Sequence, residues 1–255
     1  MTAPPLGGHP RVSTIEELME LLDSLYGADA DRTSVGASDF WGRLLQQPDH
    51  VLNTDLPDAN LVAWRSAGHL PSVGDLGRRP TALDVGCGLG RNVNWLASQG
   101  FSVIGIDIAE PALAEAIRRG GARADGERAQ YLSRDFLRDE VPGAPFDLVY
   151  DSGCFHHLAP HRRISYRAAL DVALAPGGWF GICTFAAGRM GSTADDAQLL
   201  RRGTLDGGVG YTLEEVELVF ADLELVAAGR LPAADEVGEP VFTQDFLHAA
   251  LFRRP

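Results

Sequence analysis

Residues Leu83–Gly90 read L-D-V-G-C-G-L-G, and the next apolar run, V-I-G-I-D, ends at Asp107. A short apolar run, a glycine turn and the amphipathic stretch Arg91–Ser98 spell strand, turn and helix. Gly86, Gly88 and Gly90 alternate along the turn, where missing side chains let backbone amides close on a ligand. A dinucleotide site spaces its glycines G-x-G-x-x-G to seat a pyrophosphate on the helix N-terminus. Here the spacing is G-x-G-x-G and Asp84 precedes it. An acid at this place suits a cation rather than a phosphate, and Asp107 at the next strand end can accept from both hydroxyls of a ribose. The pattern describes a site for a positively charged adenine nucleoside, which points to S-adenosylmethionine.

The rest of the chain supplies a sheet for that turn. Strands are predicted at Thr81–Val85, Ser102–Asp107, Ala129–Leu132, Phe146–Asp151, Trp179–Thr184, Leu223–Ala228 and Phe246–Arg253, with helices at Arg91–Ser98, Pro111–Arg118 and Ile164–Ala175. Strands that alternate with helices imply a parallel sheet with right-handed crossovers. Runs such as V-I-G-I and D-L-V-Y suit strands buried on both faces. Residues 1–12 are rich in Pro and Gly and read as a disordered tail. Residues 13–78 read as a helical cover segment and 79–255 as the core, with a Gly-rich, lid-like insertion at 186–211. Ser13 and Glu16 have capping-box spacing, ahead of an apolar face made of Ile15, Leu18, Met19, Leu22 and Leu25 or Tyr26.

Bulk properties narrow the partners. The 255 residues carry a net charge of −13, the opposite of the basic stripe that neutralises nucleic-acid phosphates. Cys87, Cys154 and Cys183 include no C-x-x-C pair, so neither a disulfide framework nor a thiolate zinc site is expected. No apolar run is long enough to span a bilayer, and no signal peptide opens the chain. The expectation is a soluble, cytoplasmic monomer or homodimer acting on a small molecule, with no nucleic-acid or membrane partner.

Leu83–Gly90 resembles motif I of the class I S-adenosylmethionine-dependent methyltransferases. Asp135-Phe136 resembles the acid and aromatic neighbour that meet the adenine. Leu174-Ala-Pro-Gly-Gly178 resembles the turn before the fifth strand, and the last two predicted strands resemble the closing hairpin. Phe40-Trp41, Asp58–Trp64 and D-S-G-C-F-H-H-L-A-P-H-R-R from Asp151 are similar to bacterial small-molecule enzymes near the thiopurine, tellurite-resistance and thiol methyltransferase groups. The resemblance implies a Rossmann-like α/β fold, with a seven-stranded, mostly parallel sheet, an antiparallel last strand and an N-terminal helical cover. It also assigns the cofactor to Asp84, Gly86, Cys87, Gly88, Gly90, Arg91, Asn92, Asp107, Ile108, Asp135, Phe136, Asp151 and Ser152.

The fourth strand end is expected to hold the chemistry, because open α/β sheets bind ligands at the carboxyl ends of their strands. No N-P-P-Y or D-P-P-Y tetrad follows it, and Thr184, Phe185, Ala186 and Ala187 stand where magnesium-dependent relatives place acids. A metal-independent enzyme is expected. His156, His157 and Asp151 are the catalytic candidates, since a base is needed only when the nucleophile must lose a proton. His157 and His161 are spaced i, i+4, but Pro160 interrupts a shared helix and no glutamate follows His157, so no metal site is read there. Arg162 and Arg163 open the next helix, where they can hold a substrate carboxylate or pair with acids; Phe40, Trp41 and Trp64 can roof the site. The function expected is methyl transfer to O, N or S of a small molecule. The alternatives are a non-methylating rearrangement at the same site, a non-catalytic binding protein and a nicotinamide dehydrogenase.

Overall fold

The computed structural model describes residues 11–26, 35–121 and 128–255. Most of the tail expected at 1–12 lies outside them. Four helices, α1 (Ile15–Asp23), α2 (Val35–Leu45), α3 (Ala59–Ser66) and α4 (Val73–Leu76), precede the first strand. Then follow β1 (Thr81–Val85), α5 (Arg91–Ser98), β2 (Ser102–Asp107), α6 (Glu110–Gly121), β3 (Ala129–Ser133), β4 (Phe146–Ser152), α7 (Arg162–Ala173) and β5 (Leu174–Ala186). The chain closes with α8 (Asp196–Arg202), β6 (Gly210–Tyr211), α9 (Leu213–Val219), β7 (Glu224–Arg230), α10 (Ala234–Val237) and β8 (Leu247–Arg253).

Seven strands form one continuous path in the order β3-β2-β1-β4-β5-β8-β7. The pairs from β3 through β5 are parallel, and β8 runs antiparallel to both β5 and β7. An eighth strand joins the expected seven. β4 stops pairing at Ser152–Cys183, and β6 pairs beyond it through Phe185–Gly210 and Ala186–Tyr211. Phe185 also pairs with Leu247, so β6 occupies the β4 edge of β5. The residues expected as a lid-like insertion therefore contain both a helix and a strand.

The strands have period-2 burial on two covered faces. Leu83, Val85, Ile106, Val149, Phe180 and Ile182 pack with Tyr166 and Leu170 of α7 and Val216 of α9. Ala82, Val103, Leu148, Tyr150 and Cys183 pack on the other face with Leu61 and Trp64 of α3 and Val93 and Leu96 of α5. Trp64, expected in the roof of the site, lies in this second core, edge-on to Tyr150 at 6.4 Å between ring centroids.

The N-terminal helix starts one residue later than its spacing suggests. Thr14 is the N-cap and Glu17 completes the capping box, while the Ser13 hydroxyl also donates to Glu17. The helix then begins at Ile15, which makes Glu17 the third helical position and leaves Glu16 without the reciprocal bond. The expected apolar face is only partly covered: Met19 and Tyr26 are buried, whereas Ile15 is 75% exposed.

Candidate functional site

The carboxyl ends of β1, β2 and β4 open into a cavity of about 400 Å³, within the range of small-molecule sites. One end is built by the glycine turn. Gly86, Gly88 and Gly90 all adopt positive φ, and a Cβ at Gly90 would lie 2.7 Å from the Tyr131 hydroxyl. The turn can therefore press against β3 only with glycine there. Gly86, Cys87, Gly88, Arg91, Asp107 and Ile108 line this end, and Gly90 does not.

Asp107 is held on two sides. Its Oδ2 accepts from the Gly88 N–H at 2.8 Å and its Oδ1 from the Ala109 N–H at 2.8 Å. Burial raises its pKa, and these backbone bonds lower it. A carboxylate has about four acceptor positions, and with the Ile108 backbone also engaged Asp107 keeps acceptor capacity for a ligand hydroxyl. Asp84 lies beneath the turn rather than on the cavity wall. It is 1% exposed and its Oδ2 has no hydrogen-bond partner. Burial pushes its pKa well above the usual carboxylate range, opposed by Arg91. An unpaired buried carboxylate oxygen beside a ligand pocket favours a cation or a bridging water.

Asp135 and Phe136 line the cavity beyond β3. Asp135 accepts from the Leu137 N–H and from Arg138, and Phe136 meets Tyr166 edge-on at 5.1 Å. Ser152 lines the cavity and accepts from Arg91 Nη2 at 3.0 Å. Asn92 is buried off the wall and donates to Asp58. Asp151, expected among the catalytic groups, is fully buried and does not reach the cavity. Its carboxylate accepts from the Cys154 and Phe155 N–H groups and from the Tyr166 hydroxyl. Burial raises its pKa to about 6 against these bonds. The residue ties β4 to the turn that follows and to α7, and the strand-end position that suggested chemistry is used for folding.

The other end of the cavity is aromatic. Phe155–His157 form a single 3-10 turn, and both His156 and His157 line the wall. The two rings face each other with Nε2 to Nε2 at 3.0 Å. His156 stacks on Phe185 with 3.6 Å between centroids, and the Phe185 N–H donates to its Nδ1 at 3.3 Å. Burial, and then the neighbouring His157, push the His156 pKa well below its ordinary value. Trp41 meets His157 edge-on at 4.7 Å, and Phe40, Met190, Phe246 and Leu247 continue the wall.

His157 and His161 share no helix, because α7 begins at Arg162. Among the described residues no group of three or more His, Cys, Asp or Glu is placed to hold a metal ion. No helix among them is long and apolar enough to cross a membrane. Arg162 and Arg163 pair with acids, Arg162 with Asp23 of α1 and Arg163 with Asp196 of α8 at 2.8 Å.

Residues 82–178 match the family described as methyltransferase domain. An uncharacterized methyltransferase of Schizosaccharomyces pombe is 39% identical over 89 residues, which is 35% of this chain and 60% of that one. Residues 82–178 carry a methyltransferase domain of the kind found in S-adenosylmethionine-dependent enzymes. Probable thiol methyltransferase 2 of Arabidopsis thaliana is 33% identical over 112 residues, 43% of this chain and 48% of that one. The match thus spans less than two thirds of either curated relative's length. The fold extends further: the 1,6-didemethyltoxoflavin-N1-methyltransferase of Burkholderia thailandensis, solved with 1,6-didemethyltoxoflavin and S-adenosylhomocysteine, superposes with a TM-score of 0.59. It is 22% identical and covers 96% of this chain and 92% of that one.

The sequence patterns passed over residues that build the site from outside the motifs. Leu44 and Leu45 of α2, with His50, Val51 and Leu52 after it, line the cavity. Asp58 fixes Arg91 from the segment before α3. Asp58 is the N-cap of α3, yet its side chain makes no cap bond. Its place in the Asp58–Trp64 segment, which carries part of the family resemblance, was a signal for it.

Proposed function

We propose that the chain binds S-adenosylmethionine at the glycine-turn end of the cavity and transfers its methyl group, without a metal ion, to a small, largely apolar acceptor held at the aromatic end. The observation that carries this is one cavity walled by Asp107 and the glycine turn at one end and by Trp41, His157 and Phe185 at the other. Asp107 would accept from the ribose hydroxyls and Asp135 from the adenine amino group, with Phe136 against the ring. Arg91 would face the cofactor's carboxylate, and Asp84, beneath the turn, its ammonium through water. Bound there, the cofactor supplies an electrophilic methyl group with a neutral leaving group. The protein's part is to hold the acceptor in line and to exclude water.

Sulfur is the acceptor atom the site favours. The His156–His157 contact occupies an Nε2 of each ring, and His156 also takes a backbone N–H on Nδ1. Three of the four ring nitrogens thus serve the fold, which leaves the pair poorly furnished as a general base. A thiolate needs no base at the moment of transfer, and an apolar wall strips little hydration from a soft anion. The resemblance to a thiol methyltransferase points the same way. The test is turnover with methyl-labelled S-adenosylmethionine across thiophenol, phenol and aniline, three acceptors of one shape. Labelled thioanisole with stoichiometric S-adenosylhomocysteine is expected. Preferred transfer to phenol or aniline would move the acceptor atom to oxygen or nitrogen. No transfer, together with no binding of S-adenosylhomocysteine, would overturn the methyltransferase reading.

A further inference from the structure

Asp58 lies between the N-terminal helices and the core and is fully buried. Four donors converge on its carboxylate. Oδ1 accepts from Arg91 Nε at 3.1 Å and Nη2 at 2.8 Å, and Oδ2 accepts from Asn92 Nδ2 at 3.1 Å and the Tyr150 hydroxyl at 2.6 Å. A carboxylate has about four acceptor positions, so Asp58 has none left for a ligand. Its own N–H donates to Asn92 Oδ1 at 3.0 Å. On either side the backbone is bonded to Phe242, through Ala59 N–H at 2.9 Å and Pro57 C=O at 2.7 Å. The carboxylate is thereby fixed to α5, β4 and the Phe242 segment together.

The effect falls on Arg91. Its guanidinium presents the Nε–Nη2 edge to Asp58, Nη2 reaches on to Ser152, and Phe242 covers the face of the plane at 4.5 Å. Two edges and a face of the planar group are used through Nε and Nη2, and among the described residues Nη1 makes no hydrogen bond, on a residue that lines the cavity. Two donors on one edge that meet a single fixed carboxylate oxygen hold both the position and the rotation of the guanidinium. Without Asp58, Arg91 would stand beside the orphaned Oδ2 of Asp84, with which it already interacts electrostatically.

We infer that Asp58 is a positioning residue that turns the Nη1 of Arg91 toward the carboxylate of the cofactor's amino-acid end and keeps the guanidinium from pairing with Asp84. This makes the segment before α3 part of the cofactor site, although it lies outside the glycine motif. The inference rests on the cofactor reading above, with Arg91 at the amino-acid end.

The test compares two nucleosides by calorimetry on the full chain. S-adenosylhomocysteine carries the amino-acid end, and 5′-deoxy-5′-methylthioadenosine lacks it. Asp58→Asn is expected to weaken S-adenosylhomocysteine at least about tenfold and to change methylthioadenosine by less than about twofold. In a double-mutant cycle, Arg91→Met with Asp58→Asn should lose no more than Arg91→Met alone, since Asp58 acts through Arg91. Tyr150→Phe removes one bond to Asp58 without touching a charge, and should shift the ratio of the two affinities in the same direction by a smaller factor. That variant carries the test if Asp58→Asn does not fold. Equal weakening of both nucleosides, an unchanged ratio in Tyr150→Phe, or full additivity in the cycle would reduce Asp58 to a structural residue. A wild-type chain that binds neither nucleoside would overturn the cofactor reading itself.

Discussion

Asp107 is buried at the end of β2 and gives one oxygen to the Gly88 N–H and the other to the Ala109 N–H. An acid at the end of the strand after a glycine turn is readable, because backbone geometry at that place dictates what can be bound. The manner of its holding is not readable, since the Gly88 and Ala109 amides meet it only in the folded turn. Those bonds set a sharp prediction. Asp107→Asn would put an amide nitrogen where one backbone N–H donates, so a donor faces a donor in a buried site. It would also remove a ribose acceptor. A charge-assisted hydrogen bond is worth about 1.5–3 kcal/mol, so affinity for S-adenosylhomocysteine should fall at least about tenfold. Unchanged affinity by calorimetry would take Asp107 out of the site. Asp151 marks the opposite case. Its position at a strand end suggested chemistry, but the chain needed an acceptor there for the turn after β4, and local sequence cannot distinguish the two uses.

Among the elements, α1 owes its place to charge more than to apolar packing. Met19 is the only buried residue among its helical positions, while Asp23 at its end bonds His161 Nε2 at 2.8 Å and Arg162 Nε at 3.0 Å. It also reaches Arg138, which holds Asp135 on the cavity wall. The stripe of apolar residues made the helix legible. The partner of Asp23 was not, because it lies more than a hundred residues away. Burial alone would raise the Asp23 pKa, but the bonds from His161 and Arg162 outweigh it and bring it to about 2 from 3.8. The folded-state value lies below the unfolded one. The stabilisation is therefore complete above about pH 4 and is lost as pH falls through about 2. Hydrogen-exchange protection of the α1 amides should fall over that window in the wild-type chain. In Asp23→Ala it should already be low at pH 7, because removing Asp23 leaves the buried Arg162 guanidinium without its carboxylate. Equal protection in the two proteins at neutral pH would show that α1 docks without this contact.

The whole molecule draws the two ends of its cavity from unlike parts of the chain. The glycine turn, Asp107, Asp135 and the turn before β5 fall in one stretch with regular strand and helix periods, and that stretch was legible as a Rossmann-like core. The aromatic end belongs to no single element. Trp41 comes from α2, His157 from the turn after β4, Phe185 from β5 and Phe246 from the approach to β8. Trp41 and His157 were expected near the site, but Phe185 and Phe246 join the wall only when distant segments pack, so no local pattern announces them. This division predicts that the two ends can be damaged separately. Phe185→Ala removes the ring stacked on His156, and Trp41→Ala removes the ring against His157. Burying an aromatic side chain covers about 150–250 Å², and at roughly 25 cal/mol per Å² even half of that contact with an acceptor is worth about 2–3 kcal/mol. Each variant should raise the acceptor KM at least about tenfold, while calorimetric affinity for S-adenosylhomocysteine changes by less than about twofold. A parallel loss of both affinities would mean that the aromatic wall holds the cofactor instead, and that the acceptor enters from another side of the cavity.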